Sequence, residues 1–550
     1  MKGKAKISKQ ESLPKNQNIY TIAYNKFVED IRRGTDKTKH DNADIDSVDF
    51  ETAISHAGYG KFNYLLLLLT IPAASSSAWV TGAMSFVLPV VGCEMNLTSL
   101  DKAWLNSAPY IGMIISAFFW GFLSDTFGRQ RLLVLGFLLD SLMGICASFS
   151  PSLWPMVFFK TMSGIMVCGP YSIFMAYLSE VFMDKYRNFA VSTAGIFSAI
   201  GNFMQPAFAW LLIPPHISWT LWDGYDYSTW RLFLFISSVP SLICGIAAAF
   251  FVESPKFLLE KGRKEEALDA FKTIYTINTG KPNSTYPVQK LHDTRPPSSL
   301  SCEKQTSFWK VLQCGIKQAF TLLKPPFIYR ALFLFFIQLG SVSSLNALRL
   351  WLPQIFSTID ATSERTNTTT NGGLCIQLTE AAKNPSEVTC ENMIIKPELY
   401  LNMMLINCSG LIAQTIYVIL VKYFKKKMII SVTTAFSAAC MMALPMVNTN
   451  LIILLTACII SVLNMTFFCV IGTVVELFPT TVRATIVSLT LMCGRIGILF
   501  ANIGVASIMY TQCNMIFYTS FTVLAVIAIS SLFLSVKPII TVKNSTNNNA

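Results

Sequence analysis

Charged side chains are scarce in this sequence. Asp, Glu, Lys and Arg make up 13% of its 550 residues, against 52% hydrophobic, whereas soluble domains carry roughly 25% charge. A soluble globular chain is therefore excluded. The scarcity is concentrated in twelve mainly apolar stretches, each near the length of about 20 residues that crosses a bilayer. They are expected at 62–91, 104–124, 132–150, 152–178, 189–213, 230–252, 329–356, 398–421, 428–446, 451–474, 485–508 and 514–536. The short alternating runs of a membrane β-barrel are lacking. Each span is expected to be an α-helix, which satisfies its own backbone polar groups in lipid.

Other absences narrow the function. There is no Walker loop, no H-E-x-x-H and no zinc spacing, and the four histidines, His40, His56, His216 and His292, are scattered over loops. Nothing supports ATP-driven transport, a metal, a cofactor or an enzymatic centre. The first sixty residues are polar and mixed in charge, so no cleavable signal peptide is expected and the first span serves as targeting signal. Bases are missing from one side of the chain: its short loops hold only Lys102. The short loops of the other side hold Arg129, Arg131, Lys185, Arg187, Lys422, Lys425, Lys426, Lys427 and Arg483. By the positive-inside rule both termini are cytosolic. The net charge of +12 thus sets topology and faces anionic lipid heads; it is no nucleic-acid footprint.

The expected layout is a cytosolic tail (1–61), a six-helix half (62–252), a polar cytosolic loop (253–328), a second six-helix half (329–536) and a short cytosolic tail (537–550), with an outer loop at 357–397. Within the central loop, Leu258, Leu259, Ala267, Leu268 and Phe271 have helical spacing, which suits a helix on the inner membrane surface; a cytosolic partner of this loop is possible on that layout. Most of the 14 cysteines read as small core residues. Cys375 and Cys390 share the outer loop and are expected to form a disulfide in an oxidising compartment, with Cys93 and Cys513 near the same face as competitors. Asn96 and Asn367 are glycosylation sequons on the outer side.

The halves repeat. After the fourth span the sequence is "SEVFMDKYRN", after the tenth "VELFPTTVRAT". Each holds a Glu and an Arg seven positions apart, Glu180 with Arg187 and Glu476 with Arg483, at the same place in its half. Parallel six-helix repeats are a transporter architecture with the substrate site at midplane between halves.

These residues carry a family resemblance. "GFLSDTFGRQRLL" resembles the loop signature of the major facilitator superfamily, matched at Gly121, Leu123, Asp125, Gly128, Arg129 and Leu133, with Gln130 in place of a usual base. "VESPKFLLEKGRKEEAL" is similar to the segment after span six of sugar and organic-ion transporters. "FETAISHAGYGKFNYLLLLL", "STWRLFLFISSVPSL" and "LWLP" look most like the synaptic vesicle glycoprotein 2 family and its insect relatives. The resemblance implies an all-α fold of twelve transmembrane helices, working as a monomer. It implies that Asp125, Gly128 and Arg129 form a charge latch with the Glu180 cluster and with the span-eleven side of the opposite half. The corresponding second-half loop, "LVKYFKKKMI", has neither the Asp nor the Gly-Arg. Where the vesicle glycoproteins have an acidic pair in span one, this chain has Ser77 and Val80, which argues against a proton-coupled amine carrier.

Ionisable residues inside spans are functional candidates. Asp140 and Lys160 lie at similar depths in adjacent antiparallel helices, as an ion pair or with Lys160 in a substrate role; Lys160 takes the place of the superfamily's span-four Arg. Arg349, near a helix end, is expected to snorkel. Arg495 lies deep in span eleven with no acid in its helix, and organic-anion transporters have a basic residue in this helix. A cavity with Arg495 and Lys160 attracts anions. Trp79, Tyr171, Asn202, Gln205, Tyr417 and Asn464 are candidate lining residues, each with packing as the alternative. Two functions remain: a secondary transporter of a small organic anion in the bilayer, or a transport-inactive vesicle or plasma-membrane glycoprotein that binds partners.

Overall fold

The computed structural model describes residues 47–534, apart from 216, 223–224, 293–326, 367–372, 384–395, 448 and 479. Strand β1 (Ser47–Val48) and helix α1 (Phe50–Ala57) precede the first half. That half comprises α2 (Lys61–Glu94), α3 (Ser99–Phe127), α4 (Arg129–Ser148), α5 (Leu153–Val167), α6 (Pro170–Val181) and α7 (Asp184–Leu212), then the hairpin β2 (Ser218–Trp222) and β3 (Tyr225–Ser228), then α8 (Thr229–Ser237) and α9 (Val239–Ala249). The central segment holds α10 (Pro255–Glu260), α11 (Lys264–Thr279) and β4 (Lys290–Leu291). The second half comprises α12 (Phe327–Arg349), α13 (Leu352–Thr366), α14 (Leu374–Lys383), α15 (Pro397–Tyr423), α16 (Lys426–Ala443), α17 (Thr449–Leu477), α18 (Thr480–Ile508) and α19 (Cys513–Ser531).

Among the described residues, ten helical stretches are long and apolar enough to cross a membrane. The 29-residue helices α3 and α7 lie where the sequence places the second and fifth spans. The chain is a multi-pass integral membrane protein. Local chemistry sets the element ends. Thr98 caps α3 by accepting from the Asp101 amide while Asp101 reaches back to the Thr98 amide, a reciprocal capping box. Gly128, at φ +96°, turns the chain between α3 and α4 in a conformation that costs other residues. The fourth expected span breaks before Pro170, the first residue of α6, and the sixth before Val239-Pro240, because proline has no amide to continue a helix.

Three expectations change. The central segment does not simply lie on the membrane. Its α11 buries Ala267, Ala270, Phe271 and Ile274 against protein, packing on α1, while β1 pairs in parallel with β4. The end of the N-terminal tail is therefore part of a folded module; the amphipathic face found its apolar partner in the chain rather than in lipid. The stretch before α8 holds an antiparallel hairpin that the apolar pattern did not signal. The disulfide joins Cys375 to Cys513, not to Cys390, which lies outside the described residues. The bridge ties α14 to the first residue of α19.

The core divides into three apolar clusters. One runs through both halves, from Val87, Leu105 and Phe233 to Leu345, Tyr400 and Leu524. The other two keep to one half each: Phe137, Phe174 and Phe271 in the first half and central segment, Ile430, Val470 and Phe478 in the second. The shared cluster lies at the end of the bundle that carries the disulfide. The separate clusters lie at the opposite end, where Arg129, Lys185 and Lys426 sit. Among the described residues, the apolar burial shared by the two halves is concentrated at the disulfide end.

Candidate functional site between the two halves

The halves meet along α3 against α18 and α7 against α15. Asn502 of α18 donates to the Ala103 carbonyl at 2.8 Å and Ser107 Oγ at 2.6 Å, and accepts from Trp351 Nε1 at 2.6 Å. Asn106 Nδ2 donates to the Leu350 carbonyl at 3.4 Å, Tyr400 to the Phe86 carbonyl at 3.2 Å, and Lys102 to Gln354 at 3.2 Å. Arg495 lies seven residues, about 10 Å, below Asn502 on the same face of α18. Its Nη1 donates to the Met113 carbonyl at 3.4 Å and to Cys168 Sγ at 3.0 Å. These hydrogen bonds between the halves lie between the disulfide end and the level of Arg495, and they close that end.

Arg495 is half-buried, and no described carboxylate pairs with it. Cys168 reaches it because the break between α5 and α6 falls there. Lys160 is placed differently: it is 2% exposed, enclosed within the first half. α3 and α5 cross so closely at Gly112 and Gly164 that a methyl group on either would strike the other's backbone, which leaves Lys160 on the inner face of the contact. The expected ion pair is not formed. Asp140 instead accepts from Ser163 Oγ and Ser241 Oγ, each at 2.5 Å. The carboxylate of Asp140 faces Ser163 of α5, three residues on from Lys160.

Trp79 and Gln205 use their polar atoms on one another's helices. Trp79 Nε1 donates to the Gly201 carbonyl at 2.8 Å, and Gln205 Nε2 to the Trp79 carbonyl at 3.0 Å. Both are buried, and they staple α2 to α7. Tyr171, Asn202 and Asn464 are half-buried and form no hydrogen bond with described residues. Tyr417 lies away from Arg495, near the basic end, its hydroxyl beside Gly472 and Lys426.

The partners of Arg129 that the structure describes lie within the first half and the central segment. Arg129 is 8% exposed; it meets Glu180 Oε1 at 3.2 Å, donates to the Ser124 carbonyl and lies 4.8 Å over the Phe257 ring. Ser254 Oγ donates to the other Glu180 oxygen at 2.6 Å. Glu253 Oε1 accepts from the amides of Arg129, Gln130 and Ser254. Gln130 Nε2 donates to the carbonyls of Ala248, Ala249 and Phe251 at the end of α9. The side chains of Asp125 and Arg483, on which the expected bond from the latch to the span-eleven side bears, lie outside the described residues. Arg187 does not pair with Glu180. It binds Glu51 of α1 at 2.8 Å and Asp184, because the tail folds back over it. In the second half Glu476 pairs with Lys426 at 2.6 Å, and the side chain of Arg483 lies outside the described residues.

Asn96 stands exposed in the turn before α3 at φ +51°. The hydroxyl of its sequon threonine, Thr98, is engaged with Asp101. Asn367 lies outside the described residues.

The sequence model of the Major Facilitator Superfamily matches residues 70–379, more than half of the chain. The chain belongs to that superfamily. Curated relatives are synaptic vesicle glycoproteins. Human synaptic vesicle glycoprotein 2C is 29% identical over 266 residues, 47% of this chain and 36% of the relative. Rat synaptic vesicle glycoprotein 2A is 29% identical over 286 residues, 50% of this chain and 38% of the relative. The matches thus span little more than a third of each relative. Among solved structures, the inward-open conformation of the xylose transporter XylE from E. coli gives a TM-score of 0.59 at 13% identity, covering 86% of this chain and 96% of that one. Its partially occluded inward-open conformation gives 0.58 at 12%, covering 86% and 99%. These likenesses show the superfamily fold. Within it, sequence reasoning missed Glu253, Ser254 and Cys168. The "VESP" segment was the available signal for the first two. Nothing in the spacing marked Cys168, which meets Arg495 from a helix 327 residues away and the Met113 carbonyl of α3.

Proposed function

We propose that this chain is a secondary carrier of a small organic anion, working by alternating access as a monomer of twelve spans. Arg495 is the observation that supports the reading most. A guanidinium at the junction of two rocking halves, held by a carbonyl and a thiol and by no described carboxylate, exchanges those partners readily for the stronger charge-assisted bonds of an anion. Lys160 raises the positive potential from within the first half, while Tyr171, Asn202 and Asn464 have polar atoms free to line the path. The basic end faces the cytosol by the positive-inside rule. On this reading the path to Arg495 opens inward, the state named for the XylE structures. A synaptic or secretory vesicle membrane, or the plasma membrane, is the proposed location, on the strength of the vesicle glycoproteins' names.

The second reading, a binding or trafficking partner without transport, draws on one observation. Trp79 and Gln205, two of the expected lining groups, are spent on helix packing. Uptake of mixed organic anions and cations into proteoliposomes, wild type beside Arg495→Ala, separates the two. Anion uptake that the folded variant loses supports the carrier. A folded wild-type protein that moves no solute in the panel sinks it and leaves the binding partner.

A further inference from the structure

Arg349 has no assigned task. Its place near a helix end suggested snorkelling, yet its side chain is half-buried and forms no hydrogen bond or ion pair with any described residue. It is the last residue of α12, where the expected seventh span breaks before α13. The Leu350 carbonyl beside it is pinned to α3 by Asn106. Asn106, Tyr110 and Met113 are spaced by four and three residues, so they share one face of α3. Tyr110, 5% exposed, stands on that face between Asn106, bonded to the carbonyl next to Arg349, and Met113, whose carbonyl accepts from Arg495. Residues of two different helices of the second half thus flank one tyrosine of the first. The buried Asn106 Oδ1 on the same face has no partner.

We propose that Arg349 and Arg495 form a two-point anion cradle with Tyr110 between them, and that the substrate is a dicarboxylate. The proposal rests on the anion-carrier reading and sharpens it. Two cations in a poorly hydrated interface repel each other and lose solvation. A monocarboxylate neutralises one of them; a dicarboxylate neutralises both, each carboxylate matching the planar fork of one guanidinium. Carbonyls at the C-terminal end of α12 offset part of the Arg349 charge. If that were its whole task, Arg349 would stabilise the helix equally with every anion, and no preference for two charges would follow.

The test is binding to the purified full chain by calorimetry, using dicarboxylates from malonate to adipate, each beside the monocarboxylate of equal chain length, with tetraethylammonium as the cation. We expect one of the diacids to bind roughly tenfold or more tighter than its monoacid, and Arg349→Gln to remove that advantage while leaving monoacid binding within about threefold. Arg495→Gln is expected to weaken both acids. Arg349→Lys, which keeps charge without the fork, retains part of the preference and guards against reading misfolding as loss of the site. Equal binding of diacid and monoacid by wild type, or an unchanged preference in Arg349→Gln, overturns the cradle and leaves the anion carrier standing. Failure of every acid to bind removes the carrier reading and the cradle with it.

Discussion

The two halves hold their basic ends together with ion pairs of different build. In the first half Arg129 and Glu180 are nearly enclosed, their side chains 9% and 10% exposed, and each carboxylate oxygen of Glu180 has a donor. In the second, Lys426 reaches Glu476 and the Gly472 carbonyl, but the Glu476 side chain is 53% exposed. A repeat in sequence has thus become an asymmetry in energetics. A buried charge whose partner is removed is left uncompensated, whereas an exposed one is simply rehydrated. The first half is built as a rigid body with its folded cytosolic module attached, and the second is held more loosely at the same level.

Arg129→Ala breaks the comparison at its strongest point. It strands Glu180 beside Ser254 in a site closed by Phe257, and a loss of about 3–5 kcal/mol is expected. The check is the unfolding midpoint of the purified protein. A shift no larger than that of a surface lysine variant would show the pair to be solvated and the asymmetry illusory.

A smaller effect tests whether the cytosolic module belongs to the latch. Ser254 Oγ both donates to Glu180 and caps α10 by accepting from the Phe257 amide. Ser254→Ala removes both bonds, with an expected cost of about 1–2 kcal/mol. Coupling distinguishes a shared network from two independent contacts. In the Arg129→Ala background the same substitution is expected to cost less, because Glu180 has already lost its charged partner. Strict additivity in the double-mutant cycle would detach the module from the latch.

Much of this was legible in the sequence, and the failures have one cause. Apolar runs locate helices because lipid admits little else, and depth along a helix follows from a fixed rise. Rotation about the helix axis does not. Asp140 and Lys160 were matched in depth, yet the carboxylate meets Ser163, three residues on from the lysine, since the Gly112–Gly164 crossing fixes which face of α5 turns inward. Trp79 and Gln205 fail as lining residues for the same reason: the approach of α7 decides where their polar atoms go. The Glu180–Arg187 spacing looked like a pair, but Arg187 is taken by Glu51, from a tail whose fold no hydropathy pattern announces. Cys375 likewise found Cys513, 138 residues away, over a nearer cysteine in the same loop. Partners chosen by tertiary approach are read from periodicity only when a motif records them, as "GFLSDTFGRQR" does for Arg129.

Lys426→Ala should produce the smallest change of the series. Its ammonium is partly covered, but the glutamate it serves is more than half exposed, so solvent replaces most of what the ion pair supplies. A loss below about 1 kcal/mol is expected, shrinking further in high salt because exposed pairs are screened. The Arg129→Ala loss should be nearly salt-independent. The contrast in salt dependence is more telling than either magnitude: it reports burial directly and is insensitive to changes in the unfolded state that both variants share. If Lys426→Ala proves as costly and as salt-insensitive as Arg129→Ala, the second-half pair is enclosed in solution. The two halves would then be latched alike, and what joins them would rest on the disulfide end, where Asn502 and the shared apolar cluster hold them together.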